Sequence, residues 1–512
     1  MMRALSLSLL LAAVGGCTVG KNFVPPTPQA PPHWPEQALS VPAAAPGMPG
    51  AAPAAGVVAA EDDVQLAWWR GFEDSTLSRL IERGRETNMD VRAALLRVQE
   101  ARAQREVSAA QYWPNLSLDT SFSRQRLSQS TPTGALIGNV GNIRVPGFPA
   151  ISIPNPYNQY QLSADASWEL DLFGRVRRAV EVADANVQVS VEDQHAVLEA
   201  ALADIAQNYI ELRGAQARLR VARDNLSTTD ELLQLTQQRN AAGLTTYIDV
   251  SNAAAQAEVT RAELPAIELQ ITQNINQLSQ LLGREPEALR PELAAEAPMP
   301  PLPSAVPVGV PAQLARRRPD IREAEASLHA ATAQQGVAMA DLFPRLTVSA
   351  GGGYQSETAG ELLEWASRFG SFGPALDLPV FDRGRWKSLR LYDVRAQEAA
   401  LSYQAAVLQA LHEVDNAATA LGTDQQRRAW LLATVADNRD ALTLSRQRYE
   451  SGLTNFIDVL DAERTLQQNQ LSLVDSTTAV STDLVRLYRA LGGGWQAAQG
   501  APGLNGERPD QH

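Results

Sequence analysis

The sequence predicts a mixed α and β membrane protein made of two copies of one structural repeat. Three observations support this: a long internal duplication, apolar residues recurring every seven positions, and stretches in which apolar and polar residues alternate. A duplication of this size is typical of one symmetric object built from two halves. We therefore expect each copy to contain a helix, a strand pair, a long helix, a tight turn and a final helix.

The duplication is clearest at two turns. Residues 238–250 read QRNAAGLTTYIDV, and residues 447–459, which lie 209 positions later, read QRYESGLTNFIDV. A second register, displaced by 230 positions, places Asp90-Val91-Arg92 on Asp320-Ile321-Arg322. We predict a first repeat over 61–283 with its tip turn at 239–249, and a second over 319–491 with its tip turn at 448–458. Any residue present in only one copy then needs a separate explanation.

The helices are predicted to be unusually long. From about Arg177 to Gln238 there is no proline and one glycine, so about 60 residues can span roughly 90 Å. Seven-residue spacing is strict along this stretch, at Val191, Leu198, Ile205, Leu212, Leu219, Leu226 and Leu233. A true seven-residue period forces neighbouring helices into a left-handed supercoil. Small and polar residues between these positions favour an extended, curved layer of closely spaced helices over a simple coiled-coil dimer.

The strand pairs indicate a membrane. Apolar and polar residues alternate from Tyr160 to Leu172, which suits a strand with one face on lipid and one on water. The predicted strands are 116–126 and 160–172 in the first copy, and 346–355 and 372–380 in the second. A soluble sandwich explains any single strand equally well, but four strands cannot bury themselves beside such long helices. Four strands also cannot close a membrane barrel, so several chains must contribute to one barrel.

The N-terminus predicts export. Residues 1–16 have a basic start, an apolar centre and a small-residue end, and so predict a lipoprotein signal peptide followed by the single cysteine of the chain, Cys17. A plain signal peptide with an incidental cysteine is the alternative. Residues 17–60 are predicted to be a lipid anchor and a tether rich in proline and alanine. A proline-rich connector is predicted over 284–318, and a disordered tail over 492–512.

Composition argues against several classes of function. A formal net charge of −13 disfavours nucleic-acid binding, and the five histidines show no metal-ligand spacing. The sequence contains no recognisable catalytic constellation, phosphate loop or nucleophile motif. We therefore predict no enzyme activity, no catalytic or metal-binding residues and no cofactor.

In combination, several motifs resemble the outer-membrane factor (TolC-like) family, in its lipoprotein branch that serves RND-type efflux pumps. The motifs cover the chain from residue 17 to about 491. They are Cys17-Thr18-Val19-Gly20, Trp68-Trp69-Arg70-Gly71-Phe72, Ser167-Trp168-Glu169-Leu170-Asp171-Leu172-Phe173-Gly174, Arg318-Pro319-Asp320-Ile321, Leu378-Pro379-Val380-Phe381-Asp382 and both tip turns.

The resemblance implies a homotrimer with a 12-stranded outer-membrane β-barrel continued by a 12-helix periplasmic α-barrel. It implies a lipid-anchored protein of the bacterial outer membrane that extends into the periplasm. Its expected partners are a periplasmic adaptor (membrane fusion) protein, an inner-membrane RND-type pump and outer-membrane lipid. The expected function is a passive conduit for small molecules such as drugs. A type I protein-secretion channel is the main alternative, and a structural or adhesive envelope lipoprotein is a weaker one.

Three sets of site residues follow. Cys17 is the predicted lipidation site. Both tip turns are predicted to lie at the periplasmic tip and to dock the adaptor through Gly243, Leu244, Thr245, Gly452, Leu453 and Thr454. Both glycines end a helix and are predicted to be left-handed. Thr246 with Asp249, and Asn455 with Asp458, are predicted to form a capping box at the start of the next helix. The resemblance assigns a periplasmic gate to Asp458, Asp461, Asp249 and Tyr449, although the basic partner expected near Thr454 is missing. Asp461 has no acidic counterpart in the first copy, where Asn252 stands at the equivalent position.

Overall fold

The computed structural model describes residues 18–27, 31, 34, 56–58, 67–132, 135, 154–303 and 305–499. Within these ranges the chain divides into two compact units. The first unit comprises 18–24, 101–132, 135, 154–186 and 328–398, and the second comprises 25–27, 31, 34, 56–58, 67–100, 187–303, 305–327 and 399–499. Both repeats contribute to both units.

Long helices dominate the chain. The α-helices are α1 (Ser75–Thr87), α2 (Met89–Ala109), α3 (Arg175–Ala241), α4 (Tyr247–Leu281), α5 (Arg290–Leu293), α6 (Leu314–Arg317), α7 (Pro319–Ala340), α8 (Arg383–Glu450), α9 (Phe456–Ala490) and α10 (Trp495–Gln499). The helices α3 and α8 have 67 and 68 residues, and α4 and α9 have 35 residues each. The two repeats therefore match closely in the lengths of their long helices.

The strands form two sheets. They are β1 (Gly56–Val58), β2 (Asn115–Gln125), β3 (Tyr157–Leu170), β4 (Ala305–Pro307), β5 (Arg345–Ser356) and β6 (Arg368–Asp377). A short parallel pair joins β1 to β4 in the second unit. In the first unit, β2, β3, β5 and β6 form an antiparallel sheet in that order. The sheet therefore joins the hairpin of one repeat to the hairpin of the other, and its edges are β2 and β6.

One face of this sheet is apolar. Register pairs Leu118 with Ala164, and Ala164 with Gly352, so these positions lie on one face. Large apolar side chains on this face are exposed in the single chain, among them Leu116, Leu118, Phe122, Phe372 and Leu376. Apolar residues on an exposed sheet face are what a lipid-facing surface requires.

The strands end where side chains cap the following helices. The alternating pattern predicted a strand continuing to Leu172, but β3 ends at Leu170. The carboxylate of Asp171 accepts hydrogen bonds from the backbone N–H groups of Val176 and Arg177, at 3.1 and 2.9 Å, at the start of α3. A carboxylate in that position satisfies the free donors of a helix N-terminus. Asp171 therefore belongs to the helix cap.

The second hairpin differs more from its prediction. Strand β6 covers Arg368–Asp377 rather than 372–380, because the glycines hid its beginning and because Pro379 has no N–H group to donate. Asp382 then accepts hydrogen bonds from the backbone of Gly384 and Arg385, at 2.8 and 3.1 Å, and so caps α8. In the first hairpin, β2 covers Asn115–Gln125 rather than 116–126, and β5 covers Arg345–Ser356 rather than 346–355.

The second unit has a large apolar core around the short 3₁₀ helix Trp68–Phe72. Trp68 stacks on Tyr488 of α9 with ring centroids 5.5 Å apart, and both residues are buried. The proline-rich connector also contributes, because Val306, Val308 and Leu314 are buried in the same core. The connector is thus part of the folded unit.

The predicted disordered tail is wrong in its first part. Residues 492–499 form a turn and helix α10, and the side chain of Trp495 is buried. The Trp495 ring stacks on His195 at 4.2 Å, and its indole N–H donates to the carbonyl of Arg317 at 2.9 Å. One large aromatic residue supplies the burial that the composition of this glycine-rich segment did not indicate. The rest of the tail lies outside the described residues.

Across the described ranges, no helix is both long enough and apolar enough to cross a lipid bilayer.

Candidate functional site: the two tip turns

Each tip turn begins at a glycine that ends a long helix. Gly243 has φ +69° and Gly452 has φ +73°, which confirms the left-handed conformation predicted for both. The N–H of Leu244 donates to the carbonyl of Arg239 at 2.9 Å, and the N–H of Leu453 donates to Arg448 at 2.8 Å. Nothing lies within 4 Å of a Cβ placed on either glycine, so these glycines serve backbone conformation rather than close packing.

The next helix starts differently in the two copies. Thr246 caps α4 and forms a capping box with Asp249, in which each side chain bonds the backbone of the other residue. Asn455 occupies the same position before α9 but makes no side-chain capping bond. The capping box predicted for both turns is therefore confirmed in the first and wrong in the second. There, Asp458 accepts a short hydrogen bond from the hydroxyl of Thr454.

The turns expose their leucines to solvent. Leu244 is 66% exposed and Leu453 is 70% exposed, although both are large apolar side chains. Tyr247, Ile248 and Ile457 in the next turn of helix are exposed as well. The tip therefore presents several apolar side chains to solvent.

Tyr449 links the end of α8 to the first turn. Its ring is buried, and its hydroxyl donates to Thr245 Oγ1 at 3.4 Å. The hydroxyl of Thr245 in turn donates to Asp249 Oδ2 at 2.5 Å. The first bond is long and therefore weak, whereas the second is short and made to a carboxylate. Two of the predicted gate residues, Tyr449 and Asp249, are thus connected through a third residue.

The electrostatics favour an ionised Asp249. Partial burial alone would raise the pKa of this carboxyl, but the hydrogen bonds from Thr245 and Thr246 outweigh it and lower the pKa. Arg239 contacts the other side of this bridge, at Tyr449. Its guanidinium lies over the Tyr449 ring, 4.7 Å from the centroid, and donates to the carbonyl of Glu450 at 2.8 Å. A cation over an aromatic ring is attracted by the ring's quadrupole, whose face is partially negative.

A small apolar cluster supports this arrangement. Tyr449 packs edge-on against Phe456, with ring centroids 5.6 Å apart. The buried members of the cluster are Leu232, Ala253, Tyr449, Phe456, Val459 and Leu460. These residues come from α3, α4, α8 and α9, so the four helix ends at the tips share one core.

The other two predicted gate residues, Asp458 and Asp461, are exposed. They lie three residues apart on α9, and residues at this spacing are neighbours on one helix face. The structure therefore groups the gate residues as two sets: Tyr449 and Asp249 inside a hydrogen-bonded chain, and Asp458 and Asp461 on the surface. The predicted lipidation site, Cys17, lies outside the described residues.

Sequence reasoning missed two contributions to this site. Thr245 was assigned to docking, whereas its hydroxyl is the bridge between Tyr449 and Asp249. Arg239 was not assigned any role. An available signal was that Tyr449 replaces Asn240 of the first copy, because a large aromatic in one turn alone requires partners from another element.

The class of protein follows from three features: two matching tip turns, long helices, and a sheet with an exposed apolar face that suits contact with lipid. Together they are typical of an outer-membrane channel protein. A family model described as "Outer membrane efflux protein" matches residues 80–284 and 310–493. The chain belongs to this family, and the resemblance to outer-membrane factors is confirmed.

Individual relatives agree with this assignment. The outer membrane protein OprJ of Pseudomonas aeruginosa is 33% identical over 429 residues, which cover 83% of this chain and 86% of OprJ. The probable efflux pump outer membrane protein TtgC of Pseudomonas putida is 30% identical over 499 residues, which cover 97% of this chain and 96% of TtgC. The structure of the outer-membrane channel OprN superposes with a TM-score of 0.80 at 32% identity, covering 94% of this chain and 100% of that one.

The protein is therefore an outer-membrane channel component of an efflux pump. The family model and TtgC both carry efflux in their names, which favours efflux over the protein-secretion alternative. Its family is one of transport channels.

Proposed function

We propose that three copies of this chain form a 12-stranded outer-membrane barrel that continues as a 12-helix periplasmic tunnel. The sheet topology supports this: four strands end in two unpaired edges, β2 and β6. Unpaired strand edges are not stable within a bilayer, so each edge needs a strand from another copy. The polar face of the sheet, which carries Asp119, Asp165 and Glu169, would then line a water-filled lumen.

We propose that this conduit is the passive last stage of a tripartite pump. An inner-membrane RND-type pump would select drug-like small molecules, and a periplasmic adaptor would couple that pump to the tips. The observation that carries the docking proposal is the exposure of Leu244 and Leu453 on two backbone turns of the same geometry. Apolar side chains fixed at a helix–helix turn suit packing against a partner's helical hairpin.

Replacing Leu244 and Leu453 together by Glu tests this proposal. Charged side chains on the docking surface should abolish drug efflux, because burying them against the adaptor would be costly. Trimer formation and insertion into the outer membrane should persist, since neither leucine contributes to the core. The matched control replaces both leucines by Met, which keeps an apolar surface and should keep efflux. Normal drug resistance in the double Glu variant would exclude docking at these turns.

We further propose that Cys17 is lipidated and fixes the N-terminus to the inner leaflet of the outer membrane. The described residues just after it support this. The N–H of Val19 donates to the carbonyl of Phe173 at 3.2 Å, and Phe23 stacks on His329 at 4.5 Å. Phe173 follows β3 by three residues, so the segment after Cys17 is held beside the end of a membrane strand.

Intact-mass measurement of the membrane-extracted protein tests the anchor. The mature chain should begin at Cys17 and carry the added mass of its acyl chains, because stable anchoring needs two of them or more. The Cys17→Ala variant provides the unmodified reference. A wild-type chain that starts elsewhere, without lipid mass, would refute the anchor and leave the channel proposal unaffected.

A further inference from the structure

A buried polar layer lies close to the gate residues on α9. Glu463 is 1% exposed, and its Oε1 accepts a hydrogen bond from the hydroxyl of Thr229 in α3 at 2.6 Å. Gln467 donates to the same Oε1 at 3.2 Å and to Thr229 Oγ1 at 2.9 Å. The layer extends to α4, where Gln256 donates to Gln467 Oε1 at 3.4 Å. One carboxyl thus connects α9 to α3 directly and to α4 through a glutamine.

The second oxygen of Glu463 is not satisfied. Among the described residues, Glu463 Oε2 is buried and has no hydrogen-bond partner. A buried carboxylate oxygen without a partner is costly when charged, and much less so when neutral. Burial raises the pKa of Glu463, although the Thr229 hydrogen bond and the positive charges of Arg464 and Arg446 act in the opposite direction. Contacts within one chain already bury Glu463, and association with further copies can only cover more surface. Glu463 is therefore buried in an oligomer as well.

The charged groups near Glu463 bond to other side chains. Arg464, on the same helix, donates from Nε to Gln256 Oε1 at 2.7 Å. Arg446, on α8, forms ion pairs with Glu450 at 3.2 Å and with Glu231 of α3 at 3.7 Å. The side chains that α3 and α4 present to the layer, Thr229 and Gln256, are neutral. Within the part of the chain that the structure describes, ionised Glu463 therefore has no direct ion pair in the layer.

The duplication shows that this carboxyl is specific to one copy. The position 209 residues before Glu463 holds Ala254, and the position before Gln467 holds Glu258. A residue needed only to build the repeated fold would be expected in both copies. Glu463 occurs instead on the helix that carries Asp458 and Asp461, two residues beyond the second of them.

We propose that Glu463 is a proton-operated latch, which holds α9 against α3 while neutral and favours an open tip once ionised. This inference rests on the proposed channel. In the closed packing the carboxyl is dry, whereas separation of α9 from α3 would admit water and return its pKa toward the ordinary value. The closed state therefore binds more protons, and raising the pH through the interval between the two pKa values shifts the equilibrium toward opening.

Single-channel recording in planar bilayers, with both chambers moved together from pH 5 to pH 8, tests the latch. The wild-type open fraction should rise with pH, by up to about tenfold per pH unit and per latch. Glu463→Gln should remove most of this rise and hold the channel near its wild-type low-pH behaviour, because the amide stays neutral. The control is Glu258→Gln, which alters an exposed carboxyl at the equivalent position of Gln467 and should keep the wild-type pH profile.

Two results would overturn the latch: a wild-type open fraction that does not change with pH, or a Glu463→Gln profile that follows the wild type. Either would leave the proposed channel intact, since channels would still be recorded. Absence of any conductance would count against the channel instead. In that case amide hydrogen exchange of the purified protein decides. Exchange over residues 459–467, corrected for its intrinsic pH dependence, should be slower at pH 8 in Glu463→Gln than in the wild type, and equal rates would refute the latch.

Discussion

The two tip turns have the same backbone and different side-chain chemistry. Both reverse the chain at a left-handed glycine followed by an exposed leucine. The first turn then forms a capping box at Thr246, whereas Asn455 of the second makes no capping bond. The aromatic residue that opens the next helix also differs, since Tyr247 is 74% exposed and its counterpart Phe456 is 2% exposed.

This difference separates what a turn needs from what a gate needs. Glycine and leucine recur because reversing two long helices and presenting an apolar tip are required twice. Tyr449, Asp461 and Glu463 each stand where the first copy has a smaller or neutral residue: Asn240, Asn252 and Ala254. All three lie on α8 or α9 of the second copy. We infer that the second hairpin carries the elements that move, and that the first provides the surface against which they are held.

Breaking the bridge between the two hairpins should have the largest effect. Combining Tyr449→Phe with Asp249→Ala removes two hydrogen bonds. The first is the long bond from the Tyr449 hydroxyl to Thr245, and the second is the bond that the Thr245 hydroxyl donates to Asp249. A hydrogen bond contributes about 1 kcal/mol, so the closed state should lose a factor of about five or more per protomer. Resting conductance in planar bilayers should therefore increase.

Matched variants sharpen this comparison. Tyr247→Phe changes a tyrosine that is exposed in the first hairpin and should leave resting conductance unchanged. Thr245→Val should reproduce most of the double variant's effect, because one hydroxyl makes both bonds, whereas Thr454→Val should do less. A double variant with wild-type resting conductance would show that the bridge does not hold the tip closed.

The sequence predicted those parts of the site that depend on local chemistry. Left-handed glycines and the first capping box follow from residues within a few positions of each other, and the structure contains both. The bridge through Thr245 could not be predicted this way, because Tyr449 and Thr245 are 204 residues apart and meet only when α8 lies beside the first turn. Glu463 was missed for the same reason: its partner Thr229 lies on another helix.

The strand boundaries and helix α10 show a second limit of prediction from sequence. The alternation of β3 continues past its last residue, and only the hydrogen bonds of Asp171 to α3 explain why the strand ends earlier. In β6, glycines removed the alternating pattern that marks a strand. Helix α10 lies in a glycine-rich segment, where the composition gives no helix signal and, over residues 492–499, Trp495 is the one large apolar side chain that is buried. Local pattern is therefore least informative where one side chain or one cap decides the structure.

Charge at the pore should produce a smaller and more selective effect, and it provides the closest comparison between the copies. Asp461 and Asn252 occupy equivalent positions, and both are exposed. If three copies of α9 converge, their Asp461 carboxylates raise the local cation concentration, and neutralising them lowers it. Asp461→Asn should therefore reduce cation selectivity, measured as a reversal-potential shift in a salt gradient, while resting conductance changes little. Asn252→Asp adds the same charge to the other hairpin and should change selectivity much less.

The loss of cation selectivity in Asp461→Asn should shrink at high ionic strength, since salt screens exposed charges within about a Debye length. Unchanged selectivity in Asp461→Asn channels at low salt would show that Asp461 does not line the pore. An equal response to Asn252→Asp would remove the asymmetry between the hairpins and place both helices at the constriction.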